Sequence, residues 1–134
     1  LKKIYAGLSG KISVNKPDTL AIETAFYGKN AQSALKLGYA RGAAVLAAAN
    51  AGLDIYEYSP REVKKAVTGN GAAAKEQVSF MVKTILTLKS KKISADESDA
   101  LGIAICHAFR GRQGAAPAKS WNEYIKNNPE RVVR

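Results

Sequence analysis

Three acidic residues of this sequence have the type and spacing to bind a divalent cation. Glu23 ends a short apolar run, at the carboxyl edge where open α/β sheets place their ligands. Asp96 and Asp99 lie three residues apart near the start of a predicted helix, so both project from one helix face. Mg²⁺ prefers carboxylate oxygens and keeps bound waters for chemistry. Glu23, Asp96 and Asp99 are therefore a candidate magnesium site.

Each of these acids also has a simpler structural interpretation. Glu23 taken alone is a solvated carboxylate at a strand end, and acidic residues near a helix N-terminus are stabilising. Ser94 and Glu97 already supply the S-x-x-E capping box of that helix, which leaves Asp96 and Asp99 without a capping role. The chain has only 11 acidic residues against 21 Lys and Arg, and this scarcity favours the metal interpretation.

Basic residues around a glycine loop form a second candidate site. Between Arg61 and Lys92 there are eight basic residues and two acids, which supplies more than half of the net charge of +10. The loop Gly69-Asn70-Gly71 precedes a helix that carries Lys75, so backbone N–H groups and a helix N-terminus can meet a phosphate. No Gly-Lys-Ser/Thr follows, which argues against nucleotide hydrolysis. A charge run is usually a solvated face, but its position around this loop favours contact with a DNA backbone.

Two further segments allow both a functional and a structural interpretation. Phe26, followed by Gly28, Lys29 and Asn30, can stack on an unpaired base or can simply pack in the core. In the next segment, Ala34, Gly38 and Gly42 form a small-residue stripe, which suits either a homodimer contact or packing against the sheet.

The only histidine, His107, lies eight residues after Asp99 and therefore about 12 Å further along the same helix. It cannot easily share one ion with Asp99, and we interpret it as a polar group near a helix C-terminus. The neighbouring Cys106 is interpreted as a core thiol. No Ser/His/Asp or Cys/His nucleophilic arrangement is present in the sequence.

The elements that must position these residues alternate between helix and strand. Apolar periodicity predicts helices over about 1–12, 31–51, 60–67, 78–86 and 94–109, with strands over 19–22 and 53–58. This order is typical of an α/β fold with parallel crossovers. Two strands are few for a sheet, and the first helix has no capping residue, so we expect that N-terminal strands are missing before Leu1. Residues 1–110 are expected to form one domain, and 111–134 a C-terminal tail.

Composition excludes several classes of protein. No run of 18 apolar residues exists, so we expect no membrane span. A single cysteine cannot form an intrachain disulfide, which favours a reducing compartment and a cytoplasmic protein. With 46% apolar residues the chain is too apolar for intrinsic disorder, and its charge of +10 points to a polyanion, usually nucleic acid.

Several of these motifs, in this order, resemble the bacterial Holliday-junction resolvases of the RuvC family. The resemblance covers about residues 1–107 and is carried by Pro17–Glu23, Lys29–Gly38, Ala40–Gly42, Arg61–Lys65, Val67–Gly71, Lys75–Val78 and Asp96–Leu101. It implies a ribonuclease-H-like fold with a central mixed sheet flanked by helices. It also implies a homodimer that cuts four-way junction DNA symmetrically in recombination and repair, with two Mg²⁺ ions per active site and a branch-migration helicase as partner.

The resemblance assigns roles residue by residue. Glu23, Asp96 and Asp99 match three of the family's four acidic metal ligands, and Phe26 matches the aromatic residue that inserts at the crossover. The helix containing Gly38 and Gly42 matches the dimer-forming helix. Residues expected to contact nucleic acid, among which Lys64 and Lys75 match basic positions of the family, are Phe26, Lys29, Asn30, Arg61, Lys64, Gly69, Asn70, Gly71 and Lys75.

One departure from the family pattern matters for activity. The family's first acid lies in a Gly-Ile-Asp-Pro-Gly-type motif on an N-terminal strand, and this sequence has no such segment. That agrees with the expected truncation and puts the activity of this chain by itself in question, because three carboxylates position an ion less well than four. The alternatives are a non-catalytic junction-binding fragment or relative, and a ribonuclease-H-like nuclease acting on another form of DNA.

Overall fold

The structure, a computed structural model, describes residues 1–24, 31–88 and 92–112. Within these ranges the elements are α1 (Lys2–Asn15), β1 (Thr19–Glu23), α2 (Ala31–Asn50), β2 (Asp54–Tyr58), α3 (Pro60–Thr68), α4 (Lys75–Ile85) and α5 (Ala95–Arg112). The predicted order of helices and strands is confirmed. The predictions for Phe26, Lys29 and Asn30, for the basic segment 89–91 and for the tail beyond 112 lie outside the described residues.

The two strands pair in parallel, and α2 is the crossover between them. Thr19 pairs with Asp54 at one end of the ladder, and Glu23 pairs with Tyr58 at the other. Because paired residues of neighbouring strands project from the same face, Glu23 and Tyr58 share a face with Thr19. All strand pairing within the described residues is parallel, which establishes an α/β fold with a small parallel sheet.

Local signals place most helix ends where the sequence predicts them. Gly52 and Gly69 adopt positive φ angles of 74° and 78° after α2 and α3, as C-terminal caps require. Ser59 and Glu62 form a capping box on α3, and the Ser94 hydroxyl accepts from the Glu97 amide at the start of α5. Helix α4 begins at Lys75, three residues before the predicted Val78, because its first turn is polar and carries no apolar periodicity.

The core lies between one face of the sheet and the last three helices. Its buried members are Tyr58, Val63, Val67, Ala73, Val78, Val82, Ile105 and Cys106. Gly102 brings α5 close to α3, since a Cβ at this position would lie 3.4 Å from a Val63 methyl group. The other face of the sheet is covered by α2, whose Arg41 pairs with Glu57 of β2 at 2.6 Å. Helix α1 packs on α2.

Candidate active site

Two of the three predicted acids open into one cavity with two of the predicted lysines. Glu23 at the end of β1 and Asp99 on α5 line a space of about 210 Å³ together with Lys64 of α3 and Lys75 of α4. Four different elements therefore converge at the carboxyl edge of the sheet, as the position of Glu23 in the sequence predicts. Asp96, one turn before Asp99, is not among the residues that line this cavity.

The ammonium group of Lys75 is the point on which the acids act. Its Nζ lies 3.0 Å from a carboxylate oxygen of Asp99. This hydrogen bond is the largest cause that raises the pKa of Lys75, and the charges of Asp99, Asp96 and Glu23 raise the pKa further. All three predicted acids thus favour a positive charge at one place.

The arrangement fits a divalent cation through two carboxylates, whereas three converging ligands were expected. Within the described residues no three Asp, Glu, His or Cys side chains are grouped as a ready metal site. Asp96 lies one turn before Asp99 and does not line the cavity. One oxygen of Asp99 accepts a hydrogen bond from Lys75. Mg²⁺ commonly takes one or two carboxylates and completes its shell with water and substrate phosphate, so Glu23 and Asp99 fit such an ion.

Packing determines where the two carboxylates stand. Glu23 is held by the last register pair of the sheet, and the amide of the next residue, Thr24, donates to the Tyr58 carbonyl at 2.8 Å. On α5, Ser98 is buried beside the exposed Asp99, so the helix faces the core with one residue and the cavity with the next.

A second cavity adjoins the first and contains most of the predicted DNA-contacting loop. Arg61, Lys64, Asn70 and Gly71 line this space of about 380 Å³, and Lys64 belongs to both cavities. Gly71 has to be small, because a Cβ there would lie 2.7 Å from Arg61 Cγ and 3.3 Å from the Arg61 carbonyl oxygen. The loop thus supports the guanidinium-bearing side chain of Arg61.

The hydrogen bonds of the glycine loop change how it would meet a phosphate. The Gly69 amide donates to the Lys65 carbonyl, and the Asn70 amide to the Thr68 hydroxyl. The Ala72 amide donates to the Asn70 side-chain oxygen and the Ala73 amide to the Asn70 carbonyl. These four donors are already occupied, so the Arg61, Lys64 and Lys75 side chains are the basic groups that this region offers to a phosphate.

One groove beside α4 was not singled out from the sequence. Lys75 also lines this groove of about 460 Å³ between α4 and the start of α5, together with Glu76, Phe80 and Lys83. Phe80 is 68% exposed. The available signal was the spacing of Lys75, Ser79 and Lys83, which places all three on one side of α4.

His107 links α5 to both strands, a role that its position near the helix end did not reveal. Its Nδ1 lies 2.7 Å from the Tyr58 hydroxyl oxygen, and its Nε2 lies 3.2 Å from Thr19 Oγ1. The imidazole also packs on the Tyr56 ring, with the centroids 4.6 Å apart. Burial raises the pKa of the Tyr58 phenol. The predicted core position of Cys106 is confirmed, and burial raises the pKa of its thiol.

The small-residue stripe on α2 faces open space. A Cβ added at Gly38 or Gly42 would meet no atom within 4 Å. Leu35, Tyr39 and Leu46 lie on the same side of the helix at three- and four-residue spacings, and each is more than half exposed. Of the two interpretations left open by the sequence, intramolecular packing of this stripe is therefore not observed within the described residues.

No helix in the described part of the chain is long and apolar enough to cross a membrane.

Comparisons with known proteins agree with the resemblance seen in the sequence. A family profile described as "Crossover junction endodeoxyribonuclease RuvC" matches residues 1–107. A relative of that name from Chloroherpeton thalassium is 51% identical, over 100% of this chain and 76% of its own length. A relative of that name from Salinibacter ruber is 44% identical, over 98% of this chain and 74% of its own.

Solved structures give the same result at the level of the fold. The structure titled "T. thermophilus RuvC in complex with Holliday junction substrate" has a TM-score of 0.79 and 40% identity, covering 84% of this chain and 68% of that one. The structure titled "Thermus thermophilus RuvC structure" has a TM-score of 0.77 with the same identity and coverage. With the profile match, the relatives and the shared fold in agreement, this chain belongs to the RuvC family of crossover junction endodeoxyribonucleases.

Proposed function

We propose that the cavity lined by Glu23, Lys64, Lys75 and Asp99 is the active site at which this endonuclease resolves Holliday junctions. The observation that carries the proposal is the cavity that Glu23 and Asp99 line together with Lys64 and Lys75, in which the Lys75 Nζ lies 3.0 Å from an Asp99 carboxylate oxygen. The carboxylates of this cavity favour a bound cation, and the adjacent lysines favour a phosphate. The cavity therefore suits a cation and a DNA strand bound together. Membership of the RuvC family and the junction complex of the similar Thermus thermophilus protein support the substrate.

Glu23 and Asp99 would hold the metal, and we propose Asp96 as a further ligand in the DNA complex. The family implies a divalent cation, and we propose Mg²⁺, two ions per site, as the natural form. When bound, Mg²⁺ supplies an activated water and stabilises charge on the leaving oxygen of the phosphodiester.

The protein's own basic groups orient the strand for this reaction. Lys64 and Lys75 lie at the mouth of the cavity, where an ammonium group can bind a phosphate oxygen next to the carboxylates. Arg61 lies in the adjoining cavity and can contact a neighbouring phosphate. Because these are contacts with the DNA backbone, they fix the position of the strand without reading bases, and the affinity will depend on salt.

Two copies of the chain would act on one junction. Resolution without gaps needs two cuts related by symmetry, and a two-fold dimer with one site per subunit provides them. The exposed stripe of Gly38, Gly42 and Leu46 on α2 supports a homodimer through this helix. Ala34, one turn before Gly38, extends the same stripe.

The remaining features of the proposal rest on family membership. They are a ribonuclease-H-like arrangement with a mixed sheet, a domain over 1–110 with a tail over 111–134, cytoplasmic location and a branch-migration helicase partner. DNA contact by Phe26, Lys29, Asn30 and the Gly69–Gly71 loop belongs to this group, with the loop acting mainly by supporting Arg61.

A second candidate function is junction binding without cleavage. It is favoured by the Lys75–Asp99 ion pair and by the absence, within the described ranges, of a ready three-ligand metal site. In that case Lys75 would neutralise the acids permanently, and the basic residues would bind DNA alone.

A labelled synthetic four-way junction separates these functions. With Mg²⁺, the nuclease gives paired nicks at symmetric positions, whereas the binding protein shifts the junction on a gel and leaves it intact. A linear duplex of the same sequences is the control for shape selectivity. Equal cleavage of junction and duplex would contradict resolvase specificity while leaving a nuclease.

A further inference from the structure

The geometry of the acidic cavity depends on the axial position of α5 relative to β1. Glu23 and Asp99 belong to different elements, so the distance between their carboxylates is set by the axial position of the helix on the strand. The core contacts of α5 around Gly102 and Ile105 are apolar. Apolar contacts are non-directional and permit small axial shifts, whereas hydrogen bonds have narrow distance and angle limits.

His107 supplies directional contacts between α5 and both strands, one of them at the first residue of β1. Its two ring nitrogens reach Thr19, the first residue of β1, and Tyr58, the register partner of Glu23 on β2. A neutral imidazole has one donor and one acceptor nitrogen, and a hydroxyl group can take either role, so both contacts are satisfied in either tautomer. The ring therefore ties α5 to both strands at once.

The lengths of the two elements match between these ends. From Thr19 to Glu23 the strand rises about 13 Å. Helix α5 runs antiparallel to β1, so the path from His107 back to Asp99 covers about 12 Å in the same direction. Contact of His107 with Thr19 at one end thus brings Asp99 level with Glu23 at the other, which is where the shared cavity lies. A shift of one helical residue, about 1.5 Å, would exceed the tolerance of a metal–oxygen bond.

We propose that His107 is a positioning residue, which sets the spacing of Glu23 and Asp99 by fixing α5 to Thr19 and Tyr58. The inference rests on the proposed function in taking this carboxylate pair as the cation site. It assigns His107 no contact with metal or DNA.

Mn²⁺ titration of the purified protein, followed by paramagnetic broadening of amide resonances, tests the inference without requiring cleavage. His107→Phe keeps an aromatic ring on Tyr56 but removes both hydrogen bonds, and we expect it to weaken Mn²⁺ affinity about tenfold. His107→Gln retains a donor and an acceptor, and it should restore the affinity to within about threefold. Junction binding without metal should be unchanged in both variants, since the basic residues are untouched.

Thr19→Val provides a milder change that preserves the shape of the side chain. It removes one of the two contacts, and we expect an affinity loss of about threefold to fivefold. If His107→Phe does not fold, this variant decides alone. A purely structural role would lower the melting temperature of His107→Phe and leave the Mn²⁺ dissociation constant of the folded protein unchanged, which would overturn the inference.

The same titration distinguishes this inference from the proposed function. A protein that binds Mn²⁺ at Glu23 and Asp99 without cutting the junction favours the junction-binding alternative for this chain, while the effect of His107 on affinity is still measured. A protein that cuts the junction and whose His107 variants bind Mn²⁺ equally well keeps its proposed function and loses the positioning role.

Discussion

Glu23, Asp96 and Asp99 all favour a positive charge at Lys75. The contact of Lys75 with Asp99 joins this charge to the carboxylates of the cavity. The pair with Asp99 is exposed on both sides, so its contribution to folding stability is small. The pair matters instead because Lys75 can be exchanged for a divalent cation. When the cation neutralises the acids, the Lys75 ammonium group can bind a phosphate. The three acids could be chosen from the sequence, because their types and strand-edge positions are local. Their engagement with Lys75 could not, because it joins α4 to α5 across 24 positions.

Asp99→Asn removes one carboxylate charge while keeping the side-chain shape. We expect Mg²⁺-dependent junction cleavage to fall by more than about 100-fold, with binding retained. The measurement is single-turnover cleavage of a labelled junction at saturating protein. Asp54→Asn is the matched control, because Asp54 is an exposed acid at the opposite end of the sheet from Tyr58, the partner of Glu23. Equal rates for the two variants would contradict the assignment.

Glu62 makes a pH-dependent contribution to folding stability, and the direction of its pKa shift determines whether this contribution rises or falls with pH. The Ser59 backbone amide and hydroxyl donate to its carboxylate, and they lower the Glu62 pKa from 4.5. A carboxyl group with a lowered pKa in the folded state contributes stability above pH 4.5, and this contribution is lost as the pH falls through the folded value. We therefore expect Glu62→Gln to lose less unfolding free energy than the parent between pH 6 and about pH 3.

Urea unfolding at several pH values measures this difference. Glu76→Gln is a suitable control, since it lies in the first turn of α4, a helix whose cap is formed by Gln77. Identical pH dependence of the Glu62→Gln variant and the parent would show that protonation of the Glu62 carboxylate is not linked to unfolding.

At the scale of elements, the ends that the sequence predicted well are those with a local chemical signal. Ser59, Ser94, Gly52 and Gly69 mark helix ends by capping or by positive φ, and such signals need no tertiary information. The start of α4 was placed too late because Lys75–Gln77 is polar. The seating of α5 on β1 was not predictable, because the apolar periodicity of a helix gives its buried face but not its axial position.

Gly71 tests the support that the loop gives to Arg61. Gly71→Ala would push a methyl group to within 2.7 Å of Arg61 Cγ, so we expect a loss of about 1–3 kcal/mol in unfolding free energy and weaker junction binding. Gly10→Ala is the control, because a Cβ added at this position in helix α1 would meet no atom within 4 Å. This variant should gain up to about 1 kcal/mol in unfolding free energy. Thermal melts and gel-shift titrations check both. Unchanged junction binding by a stable Gly71→Ala variant would contradict the proposed contact of Arg61 with DNA.

At the scale of the whole molecule, the net charge of +10 suits a polyanionic partner, and the exposed stripe of α2 supports the proposed homodimer. The sequence predicted the class of partner from charge alone. It could not decide between packing and dimerisation for the stripe of Gly38 and Gly42, because both uses need the same small residues. The open space over these glycines supports dimerisation.

Leu46→Glu places a charge on this stripe, and we expect it to convert the proposed homodimer to monomers. Leu37→Glu is closely matched, because Leu37 lies on the opposite side of the same helix and is 54% exposed against 53% for Leu46. Sedimentation velocity should give a monomer for the first variant and a dimer for the second. Monomers of both variants, or dimers of both, would contradict a dimer interface on this face.

The cavity between β1 and α5 is the central claim, and the site of Mn²⁺ binding tests it most directly. Amide resonances broadened at the lowest Mn²⁺ concentrations are predicted to be those of Glu23, Lys75 and Asp99, whereas those of Thr19 and Asp54, about 13 Å away at the far end of the sheet, should broaden less strongly. Broadening that begins at the far end, or that is unchanged by Asp99→Asn, would contradict the account.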